Sequence, residues 1–241
     1  MRKFFTLLLL AACVCAYAQE VVPFALTKQN ARAMYRVVYG KKKKLNFGIC
    51  YYNMAVNSVT TGNDGTKTVV YRTDFLNKKK QISSYSDNVG SEGGFFNQIV
   101  LAPDGSFAMD QDMGFGFGNE MARSGYMFKV PGKLSVGQTL EGSTVNQKYV
   151  LYILGKYNYT TSLAYNNIKV DREEDYETLV GTFHCYVLTY DISGTISANG
   201  QSANLNMPVT MWVAPGIGVV CYHYISSGIP YYIELCELEG N

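Results

Sequence analysis

The sequence predicts an all-β protein: a single antiparallel, meander-rich domain whose curved sheet forms a sandwich or a partly open barrel. Tyrosine, phenylalanine and glycine are abundant, with 20, 12 and 23 copies among 241 residues, which favours strands and tight turns. Turn-forming pairs recur along the chain, and the segments between them are rich in Val, Ile, Tyr, Phe and Thr. No long segment has helical periodicity, and only residues 27–34 permit a short helix.

The strands are inferred, in chain order, from the turn signals that bound them. These signals occupy residues 62–65, 103–105, 131–132, 166–167, 193–194, 199–200, 215–216 and 227–228. The runs between them predict strands that include residues 66–75, 183–192 and 219–225. The glycine-rich segment 86–125 predicts one hairpin over residues 95–109, turning at Asp104–Gly105, with a ligand-binding loop as the alternative.

The first eighteen residues have the pattern of a secretory signal. Arg2 and Lys3 precede an apolar run over residues 4–15, and Ala16-Tyr17-Ala18 supplies small residues before a cleavage point. Residues 19–241 then form a single exported domain, because no linker-like segment divides them. The expected location is the periplasm or outer envelope. Residues 10–13 also resemble a lipoprotein cleavage motif, so the alternative to a soluble chain is one lipid-anchored at Cys13.

Removal of the signal changes the charge and the cysteine count. Lys and Arg fall from 21 to 19 when Arg2 and Lys3 are lost, against 19 Asp and Glu. The remaining chain is formally neutral, which argues against a nucleic-acid partner. An even number of cysteines in an oxidising compartment permits two disulfides in three possible connectivities. The four that remain are Cys50, Cys185, Cys221 and Cys236.

The last hairpin suggests one of these disulfides. If its loop is centred on Gly228–Ile229, Cys221 lies opposite Cys236 and the two thiols come within bonding range. The same register places His223 opposite Glu234 on that face, while Tyr222 and Ile233 lie on the face expected to be the core side. The sequence therefore predicts a Cys221–Cys236 disulfide, which depends on the register.

Catalytic and metal-binding motifs are absent from the sequence. Only two histidines occur, and a hydrolase that uses His223 or His184 with a carboxylate is the alternative to a non-catalytic role. No catalytic residue, cofactor or metal site is expected from the motifs. A third possibility is calcium-assisted glycan binding through Asp110 and Asp112, although their spacing does not fit a calcium loop.

Two runs of lysine are predicted to form an anion-binding patch. In an up-and-down meander the two runs are separated by two strands, so they emerge at the same end of the sheet. Asp and Glu within residues 171–177 are the predicted balancing acidic area. Anionic lipid or polysaccharide is the expected partner, and solvated turns are the alternative. The seven residues are Lys41, Lys42, Lys43, Lys44, Lys78, Lys79 and Lys80.

Three stretches of the sequence resemble a known family. They cover residues 130–140 (VPGKLSVGQTL), 176–186 (YETLVGTFHCY) and 211–220 (MWVAPGIGVV). In order and spacing they resemble the TapB-like family of exported β-sheet proteins, which has no assigned function. The chain is also similar, more distantly, to the YmcC-like exported fold. The resemblance implies an all-β exported domain and carries over no catalytic residues.

These observations predict a non-catalytic exported envelope protein that binds a lipid, a surface polysaccharide or another envelope protein. An apolar lumen in the curved sheet would favour acyl-chain carriage, whereas a filled core would favour a scaffold.

Overall fold

In the computed structural model, the described residues are 22–46, 49–82, 95–109, 119–152 and 156–240. They form fourteen strands and no helix, which confirms the all-β class. None of their segments is therefore a helix that could cross a membrane. The segment that permitted a short helix is instead a turn followed by the first strand. The predicted signal segment and Cys13 lie outside the described residues, as do Asp110 and Asp112.

The strands range from two to twenty-three residues in length. In chain order they are β1 (Arg32–Tyr39), β2 (Lys44–Leu45), β3 (Tyr51–Thr61), β4 (Lys67–Leu76), β5 (Phe95–Leu101), β6 (Phe107–Met109), β7 (Asn119–Ser124), β8 (Phe128–Val130), β9 (Thr144–Tyr152), β10 (Lys156–Thr178), β11 (Gly181–Ala198), β12 (Gln201–Ala214), β13 (Gly218–Ser226) and β14 (Ile229–Glu239).

Twelve of these strands form one antiparallel sheet with β1 near its middle. The order is β5-β4-β3-β1-β14-β13-β12-β11-β10-β9-β7, with β2 paired to β1 beside this path. Two meanders, β3 to β5 and β9 to β14, are joined through β1, which pairs with β3 and β14. Within the described residues β5 and β7 do not pair with each other, so the sheet is open. A small second sheet pairs β6 with β8.

Most predicted turns separate strands, but two lie inside long strands. Asn167 has φ of 56° and lies where the pairing of β10 with β11 shifts register, so this site is a bulge. Gly194 pairs with Leu163 in the middle of β11. The predicted hairpin over residues 95–109 is also wrong in its pairing. Its turn forms, with Gly105 N–H bonded to the Ala102 carbonyl at 2.9 Å, but β5 pairs with β4 and β6 with β8.

The large sheet is strongly curved. β10 and β14 are four steps apart in strand order, which corresponds to about 19 Å in a flat sheet. The Tyr176 hydroxyl on β10 nevertheless donates a hydrogen bond to Glu234 Oε1 on β14, at 2.9 Å. The β10–β11 end must therefore fold back over β12 to β14. Bulges in β10 supply the bend, because each one increases local twist.

The two faces of this part of the sheet differ in character. Tyr222, Ile233 and Leu235 are almost completely buried in the main hydrophobic core, as the sequence pattern predicts. Strand alternation puts Cys221 and Glu234 on the opposite face. We call the first the core face and the second the polar face. The core face carries an apolar cavity, and the polar face carries a buried charge cluster.

Candidate functional site

An apolar cavity of about 110 Å³ lies on the core face. Its lining comes from strands of both meanders, from the small sheet and from the segment that precedes β1. Four methionines contribute to it, together with five aromatic side chains, so most of its wall is flexible thioether and ring surface. These residues are Met54, Met109, Met127, Met211, Phe24, Phe107, Tyr35, Tyr71 and Tyr222.

Two of the tyrosine hydroxyls around the cavity already have partners. Tyr35 donates to the Val219 carbonyl at 2.9 Å, and Tyr71 donates to the Leu26 carbonyl at 2.7 Å. Burial raises the pKa of each phenol well above its ordinary value, so both stay protonated. The cavity also contains one amide, that of Asn97. Its Nδ2 is buried and has no hydrogen-bond partner among the described residues.

The segment before β1 closes part of the cavity. The Pro23 carbonyl accepts a hydrogen bond from Gly216 N–H at 2.8 Å, and the Phe24 ring packs edge-on against Tyr186 at 5.6 Å. Gly218 allows this close approach, because a Cβ there would lie 3.3 Å from the Phe24 carbonyl oxygen and its φ is +90°. Residues soon after the predicted signal thus become part of the candidate binding site.

The polar face holds a carboxylate that is almost fully buried. Glu234 is 1% exposed and receives hydrogen bonds from Arg36 Nε at 2.9 Å, Lys43 Nζ at 2.7 Å and the Tyr176 hydroxyl. Burial alone would raise the pKa of Glu234, but the bonds from Lys43, Arg36 and Tyr176 outweigh it and lower that pKa. The ion pairs from Arg36 and Lys43 and the hydrogen bond from Tyr176 therefore tie β1, the turn that follows β1, β10 and β14 together.

The two lysine runs lie at the same end of the sheet, as predicted, but only two of the seven lysines form ion pairs within the described residues. Lys43 is paired with Glu234, and Lys80 is paired with Glu237. Each of these two ammonium groups also lies over a tyrosine ring, Tyr232 for Lys43 and Tyr51 for Lys80. The other five are exposed and form no ion pair within the described residues. Anion binding by the set stays a prediction.

The predicted Cys221–Cys236 pairing is wrong. The β13–β14 loop is centred on Ser227–Gly228, so Cys221 lies opposite Glu234. Cys236 lies at a bulge in the pairing of β14 with β1 and packs with Met34 and Leu76. All four cysteines of the described chain, Cys50 and Cys185 included, are buried, and they form no disulfide with one another. Burial raises the pKa of the Cys221 and Cys185 thiols to about 12 and that of Cys236 to about 11, so none is an activated nucleophile.

The predicted His223–Glu234 pair does not form. His223 lies opposite Tyr232 and stacks on its ring at 4.6 Å, and its Nε2 has no hydrogen-bond partner among the described residues. Burial, with the nearby Lys43 charge, lowers the pKa of His223.

His184 lies at the exposed end of the β10–β11 hairpin, within the predicted acidic area. It is hydrogen-bonded to Asp175 at 2.9 Å and Glu173 at 3.3 Å, and these bonds raise its pKa. In the described chain neither histidine is hydrogen-bonded to a Ser, Thr or Cys, so the arrangement lacks the nucleophile–base contact that the hydrolase hypothesis requires.

A family model decides the relationship of the chain to known proteins. The DUF3108-like model matches residues 29–222. The chain belongs to the DUF3108-like family. The resemblance to the TapB-like family is not confirmed, since a different model matches. The comparison of this DUF3108-like chain with curated proteins finds no match.

Two solved structures share the fold of this DUF3108-like chain. One is a candidate lipoprotein from Parabacteroides distasonis ATCC 8503, with 14% identity and a TM-score of 0.69, covering 92% of this chain and 100% of that one. The other is a candidate exported protein with a YmcC-like fold from Bacteroides fragilis NCTC 9343, with 16% identity and a TM-score of 0.64, covering 91% and 100% respectively. The predicted likeness to the YmcC-like fold is thus confirmed.

Sequence reasoning missed the two most distinctive features of this DUF3108-like chain. The cavity depends on residues from distant segments, such as Phe24, Asn97 and Met211, and no local pattern connects them. The charge cluster could have been suspected, because Glu234 lies between the apolar residues Ile233 and Leu235 and a buried carboxylate needs a cationic partner. Its partners Arg36 and Lys43 come from the other end of the chain and carry no such signal.

Proposed function

We propose that this DUF3108-like chain is a non-catalytic envelope protein that binds an acyl chain in the cavity on its core face. The observation that carries this proposal is an apolar cavity whose amide donor, Asn97 Nδ2, has no partner among the described residues. An empty apolar cavity of about 150 Å³ binds a small hydrocarbon. A fatty-acyl group provides the matching chemistry: methylenes for the methionine and aromatic walls, and a carbonyl or carboxylate oxygen for the amide.

The other observations agree with a carrier in the cell envelope. The first eighteen residues have the pattern of an export signal, and the two structural neighbours are described as a lipoprotein and an exported protein. Within the described residues the histidines and cysteines lack the geometry of a hydrolase, so binding accounts for this site better than catalysis. The main carboxylate of the polar face, Glu234, is already paired with Arg36 and Lys43, so it is not free to hold a ligand.

A chain-length series tests the proposal. Affinities for hexanoate, octanoate, decanoate and dodecanoate, measured by isothermal titration calorimetry, should rise about fourfold with each added methylene until the cavity is full. Met54→Trp, which places a larger side chain in the cavity, should weaken octanoate binding at least tenfold. Val136→Trp, on an exposed part of the chain, is the matched control and should leave binding unchanged.

The result that would overturn the acyl-chain proposal is equally specific. If none of the four fatty acids produces a saturable heat, and native mass spectrometry of freshly purified protein shows only the bare polypeptide mass, the cavity is not an acyl site.

Asn97 gives a second prediction, in which stability and binding change in opposite directions. Asn97→Leu removes a buried donor that has no partner, so the free energy of unfolding should rise by about 1–2 kcal/mol. The same variant should bind octanoate more weakly, because the donor to the carboxylate is lost. Urea denaturation and calorimetry measure the two effects. Asn206→Leu, at an exposed position on β12, should change neither quantity. A destabilised Asn97→Leu protein would show that the amide is satisfied in solution.

A further inference from the structure

Three turns meet at one end of the large sheet, which we call the basic end. It comprises residues 40–44 (the turn after β1 with Lys44 of β2), which we call the first lysine loop, residues 77–81, which we call the second, and the β13–β14 turn. β1 ends at Tyr39 opposite Tyr231 near the start of β14. β3 begins at Tyr51 opposite Leu76, the last residue of β4.

Direct contacts connect these turns. Gly40 N–H donates a hydrogen bond to the Pro230 carbonyl at 2.8 Å, which fastens the first lysine loop to the β13–β14 turn. The Cys50 thiol donates to the Asn46 carbonyl at 3.0 Å, just after the first loop. The Cys50 N–H also donates to the Leu76 carbonyl at 2.8 Å, and the second loop begins directly after Leu76. The lysines of both loops therefore belong to one continuous surface.

Five of the seven lysines on this surface are available to an external partner. Lys43 forms an ion pair with Glu234, and Lys80 forms one with Glu237. The other five lysines are exposed and have no carboxylate partner within the described residues. Bringing these ammonium groups together costs electrostatic repulsion that an anionic surface would relieve. The five are Lys41, Lys42, Lys44, Lys78 and Lys79.

Exposed isoleucines accompany the lysines. Ile225 and Ile229 flank the β13–β14 turn and are 48% and 42% exposed, and Ile82, which bridges to Leu76 beside the second loop, is 44% exposed. The half-buried rings of Tyr39 and Tyr231 lie against each other at the same end. Protein surfaces that bind at a lipid–water interface combine basic side chains, exposed aliphatic side chains and tyrosine in this way.

We propose that the basic end docks on a membrane surface that carries anionic lipid headgroups. The five lysines lie at the level of the lipid phosphates, and Ile225 and Ile229 enter the headgroup–acyl boundary. A polysaccharide would use the lysines but would have no use for the isoleucines, so the lipid surface fits both observations. Each lysine near such a surface adds to the attraction, which falls off within a Debye length. This docking is independent of the acyl-chain site, because it uses no residue of the cavity.

Vesicle flotation tests the docking proposal with purified protein. Vesicles of phosphatidylcholine alone are compared with vesicles containing about 30% phosphatidylglycerol, at about 100 mM salt. Binding should require the anionic lipid. Changing the five lysines to glutamine should weaken it at least tenfold, and Ile225→Ser/Ile229→Ser should weaken it several-fold without any change in net charge. The matched control, with the same change in net charge, converts Lys28, Lys129, Lys133, Lys148 and Lys169 to glutamine and should retain binding.

Three outcomes would overturn the proposal. One is equal binding to both kinds of vesicle. Another is equal weakening by the two five-lysine sets, which would indicate a general charge effect. The third is saturable binding to an anionic polysaccharide such as alginate with none to vesicles. Octanoate titration of the five-lysine variant separates the two proposals, because the cavity should bind octanoate whether or not docking occurs.

Discussion

Replacing Glu234 with glutamine is expected to lower the free energy of unfolding by about 3 kcal/mol, measured by urea denaturation at neutral pH. The carboxylate is 1% exposed and accepts hydrogen bonds from Arg36, Lys43 and Tyr176, so its loss leaves cationic groups beside a neutral amide. This loss of stability is at the lower end of the range measured when one partner of a buried ion pair is removed, because the Arg36 and Lys43 side chains remain partly exposed to water. The loss should loosen the attachment of the β10–β11 end to β14.

The contribution of Glu234 should depend on pH in a defined direction. Its pKa is lower in the folded protein than in the unfolded chain, so folding favours the ionised form. The stabilisation is then fully present above the unfolded pKa of about 4.3 and is lost as the pH falls through the folded pKa. The difference in stability between the wild type and Glu234→Gln should accordingly be constant near neutrality and should shrink below about pH 4.

Two further variants distinguish the buried charge cluster from an ordinary surface ion pair. Glu239→Gln removes a largely exposed carboxylate that lies 3.8 Å from Arg32 and should cost less than about 1 kcal/mol. Arg36→Met/Glu234→Met replaces the pair with apolar side chains and should recover part of the loss. If Glu234→Gln is no more destabilising than Glu239→Gln at neutral pH, the carboxylate is hydrated and the polar face is not held by this cluster.

The register of the last hairpin shows where sequence reasoning succeeds and where it stops. Alternation correctly assigned Tyr222 and Ile233 to the core side, because a period of two depends only on which residues are apolar. The turn lies one residue earlier than the sequence predicts, at Ser227–Gly228. Ser227 and Gly228 both have positive φ, 50° and 77°, as a type I′ turn requires. A Gly-X turn at residues 228–229 satisfies the local turn rules equally well. Because the real turn lies one residue earlier, Glu234 and not Cys236 lies opposite Cys221.

The lengths of β10 and β11 exceed what the turn signals predict, for a related reason. Asn166–Asn167 and Ser193–Gly194 have the composition of turns, yet β10 and β11 continue through both sites. In β10 the asparagines form a bulge, which bends the strand without ending it. Such bends become favourable only when the β10–β11 end packs over the polar face, where Trp212 Nε1–H donates to Glu174 Oε1 at 2.6 Å. Tertiary packing of this kind has no local sequence signal, and the same holds for the cavity.

Gly194 provides the second prediction of a large effect. Gly194→Ala should lower the free energy of unfolding by about 3–5 kcal/mol, because backbone strain and a steric clash act together. The φ of Gly194 is +147°, and a Cβ built there would lie 2.0 Å from the Ser162 carbonyl oxygen on β10. Relief of that contact would require β10 and β11 to separate where Gly194 pairs with Leu163. Urea denaturation measures the change, and hydrogen exchange should show faster opening of β10 and β11.

Gly181→Ala separates strain from the clash. Gly181 also has a strongly positive φ, +134°, but it lies at the start of β11 with no atom within 4 Å of a built Cβ. This variant should therefore cost only about 1–2 kcal/mol, the penalty of the backbone conformation alone. The excess loss in Gly194→Ala then measures the close approach of β11 to β10, the pair that carries Tyr176 to Glu234. Equal losses in the two variants would mean that β10 yields easily at this point, and the rigid curvature inferred for the sheet would be wrong.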